Sequence, residues 1–147
     1  MSDSKTILVL NGPNLNLLGK REPQIYGTQT LSDIEGLCKK TAKPCGLTVD
    51  FRQTNSESEL IDWIQQSKHA AIIINPAAYT HSSIAIRDSL VQHSCPIVEV
   101  HISNIFTRES FRNESVISGI STGVVCGFGA NGYMLAIIAV QALLENG

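Results

Sequence analysis

Ala70-Ala71-Ile72-Ile73-Ile74-Asn75-Pro76-Ala77-Ala78-Tyr79-Thr80-His81-Ser82-Ser83 is the stretch whose reading decides the fold. A strand with one wet face alternates apolar and polar residues. Ala70 to Ile74 does not alternate, so it reads as a strand covered on both faces, as in a parallel sheet flanked by helices. Asn75-Pro76 ends the run, and the hydroxyls of Ser82 and Ser83 can cap a following helix. The unit is strand, loop, helix.

The same unit recurs on either side. Ile7-Leu8-Val9-Leu10 reads as the first strand, Leu47 to Arg52 as the second, Ile97 to Val100 as the fourth and Gly123 to Cys126 as the fifth. Between them lie helical patterns. Thr30 to about Lys43 carries Leu31, Ile34 and Leu37-Cys38 on one stripe, with Thr30-Leu31-Ser32-Asp33 as a capping box and Pro44 and Gly46 as terminators. Ser56-Glu57-Ser58-Glu59 reads as a second box, opening a helix through Lys68 with Leu60, Ile61 and Ile64 inward. Ser82 to His93 carries Ile84-Ala85, Asp88 and Val91, and Asn131 can cap a last helix to about Glu145. Five βα units predict an α/β three-layer sandwich with a doubly wound, flavodoxin-like, five-stranded parallel sheet, whose ligands bind beyond the carboxyl ends of the strands.

The 147 residues suit a single catalytic domain, 1–147, because no linker, repeat or low-complexity stretch divides them. A formal charge of -2 without a Lys/Arg-rich run argues against nucleic acid, and the local pairs Lys20-Arg21 and Arg108 with Arg112 suit a small anion. Cys38, Cys45, Cys95 and Cys126 show no CxxC spacing and no leader-like segment precedes them, so free thiols in a cytoplasmic protein are expected. The longest apolar run, Tyr133 to Leu144, is too short for the roughly 20 residues that span a bilayer. It is apolar on every side, so it either lies under other elements or meets another subunit.

The strand ends hold the chemistry-bearing residues. Asn11 to Gly27 is a long connection, of the kind that often forms a lid, with Asn14, Asn16, Lys20-Arg21 and Tyr26, and with Leu15, Leu17, Leu18 and Ile25 to anchor it. Asn75 and His81 follow the third strand, where position alone leaves a ligand contact and a structural role equally open. Glu99 and His101 are two apart, hence on one side of the fourth strand. A carboxylate beside an imidazole fixes the tautomer and favours a general acid. Arg108 and Arg112, one turn apart, could share a helix face and receive a carboxylate.

Gly127-Phe128-Gly129-Ala130-Asn131-Gly132 matches GxGxxG by letter. It follows the last strand, however, and no acidic residue about 20 positions on can hold a ribose. The glycines more simply turn the backbone into the final helix. No set of His, Cys and carboxylates has metal-ligand spacing, and no lysine sits at a strand end with apolar walls to form an imine.

Asn11-Gly12-Pro13-Asn14-Leu15-Asn16-Leu17-Leu18-Gly19, Arg21-Glu22-Pro23 and Tyr26-Gly27 resemble the opening signature of type II 3-dehydroquinate dehydratases. Asn75-Pro76-Ala77-Ala78-Tyr79-Thr80-His81, Arg87-Asp88 and Glu99-Val100-His101-Ile102-Ser103-Asn104 are similar to that family's later motifs, in order and spacing. The resemblance implies conversion of 3-dehydroquinate into 3-dehydroshikimate, without a cofactor, in a homododecamer built as a tetramer of trimers. The pathway is that of shikimate and aromatic amino acids, or of quinate breakdown. It further implies Tyr26 as base, His101 as acid and Arg21 as a stabiliser of the transition state. Asn14 would hold a water against the enolate, Glu99 would orient His101 and Arg108 would lie near the base. Asn75, His81, Asp88, Ile102, Ser103 and Arg112 would bind substrate or complete the site, Asp88 from a neighbouring subunit. The chemistry is coherent: a tyrosine with a pKa of about 10 becomes a usable base beside positive charge.

Two other classes remain to be weighed. A flavodoxin-like binding or signalling module would use the glycine loop for a phosphorylated ligand, and a phospho-acceptor would want an aspartate where Asn75 stands. A structural assembly unit would explain the last helix but leave Arg21, Tyr26, Glu99 and His101 unused.

Overall fold

In the computed structural model, which describes residues 3–20, 22–26 and 28–146, the apolar run forms the central strand. The strands are β1 (Asp3–Asn11), β2 (Thr48–Gln53), β3 (His69–Asn75), β4 (Ile97–His101) and β5 (Gly123–Cys126), all parallel, in the order β2-β1-β3-β4-β5. Each begins or ends within a few residues of the expected bounds, β1 extending furthest beyond them. Ile72 and Ile74 join Leu8, Leu10 and Ile97 on one side of the sheet. Ala71 and Ile73 join Ile7, Val9, Val98 and Val100 on the other. Two apolar layers on opposite faces are why the strands read as continuous runs.

The helices are the short α1 (Pro23–Tyr26), then α2 (Leu31–Ala42), α3 (Glu57–Gln66), α4 (Ile84–Leu90) and α5 (Asn131–Asn146). α2 and α5 cover one face; α3 and α4 cover the other. At the start of α2 the capping box closes in both directions: Thr30 Oγ1 accepts the Asp33 N–H (3.1 Å) and the Asp33 carboxylate accepts the Thr30 N–H (3.0 Å). The second box is only half formed. Ser56 Oγ accepts the Glu59 N–H (3.2 Å), while the Ser56 N–H donates to Thr54 Oγ1 instead (3.1 Å).

α4 is shorter than expected, ending at Leu90, where the chain passes into turns closed by the Gln92 N–H on the Ser89 carbonyl (3.3 Å) and the His93 N–H on the Leu90 carbonyl (3.0 Å). Ser83 caps it, accepting the Ile86 N–H (2.9 Å) and donating to the Glu57 carboxylate (2.6 Å). Its buried stripe is Ile86, Ser89 and Leu90, whereas Ile84, Asp88 and Val91 face outward. α5 buries Gly132, Tyr133, Ala136, Ile137 and Val140 and leaves Leu135 and Ile138 open. The GxGxxG stretch serves geometry. Gly127 and Gly129 have φ of 93° and 63°, and a Cβ on Gly132 would lie 3.3 Å from Val100 Cγ2. Among the described residues no helix is long and apolar enough to cross a membrane.

Candidate active site

A 2-1-3-4-5 sheet leaves a crevice where the strand order reverses, at the carboxyl ends of β1 and β3. The two ends are locked together there. Asn11 pairs with Asn75 in register, and the Gly12 N–H donates to the Asn75 carbonyl (2.9 Å). A Cβ on Gly12 would come 2.5 Å from the Pro76 carbonyl oxygen, so only glycine allows this approach. Beside it opens a cavity of about 160 Å³, room for one six-membered ring. Asn14, Leu15, Leu17 and Leu18 line it from the loop after β1, and Asn75, Ala77, Ala78 and His81 from the turn after β3. His101, Ile102, Ser103, Ile105, Arg108 and Arg112 complete the wall after β4. Leu15 and Leu18 do anchor the long loop, both being buried, but Leu17 is exposed.

The Glu99–His101 pair has the geometry its spacing predicts. Both are buried, and His101 Nε2 is hydrogen-bonded to Glu99 Oε2. Ser115 Oγ donates to both carboxylate oxygens (3.1 Å each) and Ser118 Oγ to Oε1 (2.7 Å). Burial pushes the Glu99 carboxyl up. The hydrogen bond and charge of His101, then the hydroxyls of Ser118 and Ser115, outweigh it and hold the carboxyl below its ordinary value. The pair therefore presents an ionised carboxylate behind an imidazole whose ring is held by one nitrogen at the cavity wall.

The Asn75 side chain is fixed at both ends. Its Oδ1 accepts the Ala77 N–H (3.1 Å) and its Nδ2 donates to the Tyr133 hydroxyl (3.0 Å), which in turn donates to Asn11 Oδ1 (2.6 Å). Tyr133 is wholly buried and its phenol is pushed far up by desolvation, so it acts as a neutral bridge. Ala77 stands at φ 54°, a left-handed conformation imposed by this turn. His81 Nδ1 pairs with the Glu114 carbonyl (2.7 Å), which orients its ring at the rim.

The two arginines reach the cavity by a different route from the expected one. Arg108 follows a 3-10 turn over Ile105–Thr107 and Arg112 ends another over Ser110–Arg112, so they do not share a helix face. They converge because Glu109 lies between them: Arg112 Nε donates to its Oε1 (3.1 Å) and Arg108 Nε lies 3.8 Å away. Arg108 Nη1 also donates to Ser103 Oγ (3.4 Å). Asn14, at φ 69°, is held by its own N–H on Asn55 Oδ1 (3.0 Å).

Asp88 does not line this cavity; it is exposed on α4 and paired with Arg87 (2.8 Å). Arg21 and the Tyr26 side chain lie outside the described residues, although the Tyr26 backbone closes α1. Gln24 and Ile25 of that helix line a neighbouring depression that shares Ile102, Ser103 and Arg108 with the cavity. Among the described residues, no three of His, Cys, Asp and Glu are grouped so that they could hold a metal ion. The sequence reading did not single out Asn11, Asn55, Ser115, Ser118 or Tyr133. Asn11 alone carried a local signal, as a polar residue ending a buried strand.

Such a site belongs to a small-molecule enzyme of the flavodoxin-like class, with a buried Glu99–His101 pair on β4 and two arginines from the loop that follows. The Dehydroquinase class II family matches residues 5–141, and the chain belongs to that family. It is 54% identical over 145 residues to the 3-dehydroquinate dehydratase of Brucella canis, covering 97% of this chain and 92% of that protein. The crystal structure of type II dehydroquinase from Propionibacterium acnes superposes with a TM-score of 0.89 at 48% identity, over 97% of this chain and 99% of that one. That of Butyrivibrio crossotus gives 0.91 at 42% identity, over 93% and 97%.

Proposed function

We propose that the protein is a type II 3-dehydroquinate dehydratase, a lyase that converts 3-dehydroquinate into 3-dehydroshikimate. Membership of the family supports the reaction. The observation that carries the mechanism is the buried Glu99–His101 pair at the cavity wall. The substrate is a β-hydroxy ketone. Tyr26, on the helix beside the cavity mouth, takes the proton next to the carbonyl, with Arg21 and Arg108 favouring its phenolate. The resulting enolate is met by a water on Asn14 and by the positive charge of Arg21. With Nε2 held by Glu99, the other nitrogen of His101 delivers a proton to the departing hydroxyl. The C–O bond breaks, water leaves and the enolate becomes the enone. Asn75, His81, Ile102, Ser103 and Arg112 hold the ring and its carboxylate. No step calls for a metal or an organic cofactor.

The chain works as one cytoplasmic catalytic domain, a reading that four free cysteines support. It serves the shikimate pathway or quinate breakdown. The dodecamer implied by the resemblance finds support in apolar side chains left open on two helices. Asp88 is flanked on the outer face of α4 by the exposed Ile84 and Val91, a setting suited to reaching a neighbour's site.

Proton exchange separates the two catalytic roles. Tyr26→Phe keeps the ring but removes the basic oxygen, so turnover is expected to fall about 10²–10⁴-fold, together with exchange of the substrate's α-proton for solvent deuterium. His101→Ala is expected to be slow in turnover yet still to exchange. Normal exchange in Tyr26→Phe with none in His101→Ala would mean that the two roles are reversed.

A further inference from the structure

A single loop, residues 112–118, reaches several walls of the cavity. Arg112 lines it, the Glu114 carbonyl holds His81 Nδ1 (2.7 Å), and the Val116 N–H donates to the Thr80 carbonyl (2.9 Å). The same loop delivers two hydroxyls to Glu99. Ser115 Oγ accepts the N–H groups of Ile117 (3.1 Å) and Ser118 (3.0 Å). A hydroxyl has two acceptor lone pairs and one proton. With both lone pairs engaged by backbone, the Ser115 proton is directed at the carboxylate, where it lies 3.1 Å from each oxygen. Ser118 donates to Oε1 at 2.7 Å. Glu99 thus accepts from one imidazole and two hydroxyls, in a site with no water access of its own.

We infer that Ser115 and Ser118 are positioning residues for the loss of water: by holding the Glu99 carboxylate in one orientation they keep His101 aimed at the departing hydroxyl. This rests on the reading of His101 as the acid. A carboxylate with only the imidazole for a partner could turn about its last torsion and carry the ring with it. Two hydroxyls from a loop that is itself pinned to Thr80 and His81 remove that freedom. Partners that orient a histidine through a carboxylate matter about 10–100-fold where the histidine binds a metal, and the same orienting logic sets the scale here. The serines touch no substrate in this account, so their effect falls on one step only.

Ser118→Ala is the cleaner variant, since Ser115 also holds backbone N–H groups. Enone formation is expected to slow about tenfold or more, while solvent-deuterium exchange at the substrate α-carbon continues at the wild-type rate or above. The urea midpoint serves as the control for folding. Ser115→Ala is expected to show the same partition with a lower midpoint. In a Glu99→Gln background, removing the Ser118 hydroxyl should cost nothing further, because the contact it supports has gone. Exchange and enone formation slowing together in Ser118→Ala, or an undiminished Ser118→Ala loss in the Glu99→Gln background, would overturn the inference. Wild-type enone formation by Glu99→Gln would overturn the acid pair itself, and the serine roles with it.

Discussion

At the scale of the residue, Glu99 links stability to pH. Its carboxyl ionises more readily in the folded protein than in the unfolded chain, through His101 and the two serines acting against burial. On acidification the unfolded chain therefore takes up the proton first. The stability Glu99 contributes is complete above the ordinary carboxylate value of about 4.3 and is lost as pH falls through the lower folded-state value. Asp50 acts in the same sense, its carboxyl lowered chiefly by the Arg52 hydrogen bond. Urea midpoints are expected to fall as pH drops below the carboxylate range, and Glu99→Gln to flatten part of that fall. Equal slopes for variant and wild type would contradict the assignment. Tyr133 gives a second residue-level expectation. Tyr133→Phe removes the hydroxyl between Asn75 and Asn11, leaves buried amide groups short of a partner and is expected to cost about 1–3 kcal/mol in urea denaturation. Asn75 should lose its fixed orientation with it, raising KM.

At the scale of the element, the decisive contact is between the loops after β1 and β3. Gly12→Ala would drive a Cβ to 2.5 Å from the Pro76 carbonyl oxygen. The strand ends would have to part, at a cost of about 1–3 kcal/mol, read as a lower urea midpoint, and the cavity between them would deform. The elements themselves were largely legible. Ala70 to Ile74 announced a strand buried on both faces, and Glu99 and His101 announced a pair because period two is a local property of a strand. In α4 the sequence shows the spacing of Ile84, Asp88 and Val91 but not their direction: they face outward while Ile86 and Leu90 pack inside. Periodicity shows that a face is apolar, not what it meets. Arg108 and Arg112 line one cavity, but 3-10 turns and Glu109 bring them together rather than a shared helix face. Ser115 and Ser118 were invisible because their partner lies 16 and 19 residues away, across a loop whose path no local pattern records.

At the scale of the whole molecule, the open apolar side chains of α4 and α5 bear on assembly. Light scattering is expected to show a particle far above 15.9 kDa, nearest a dodecamer. Ile84→Lys, beside the outward Asp88, is expected to yield smaller species with reduced activity, whereas a stable and fully active monomer would rule out a site completed by a neighbour. The central claim is that the cavity dehydrates 3-dehydroquinate with the Glu99–His101 pair as its acid. The most direct measurement adds 3-dehydroquinate to the purified protein and to its His101→Ala variant and follows the ultraviolet absorbance of the enone. The expected result is prompt enone formation by the wild type and a rate about 10²–10⁴-fold lower in the variant. No enone from the wild type, or an undiminished rate in His101→Ala, would contradict the account.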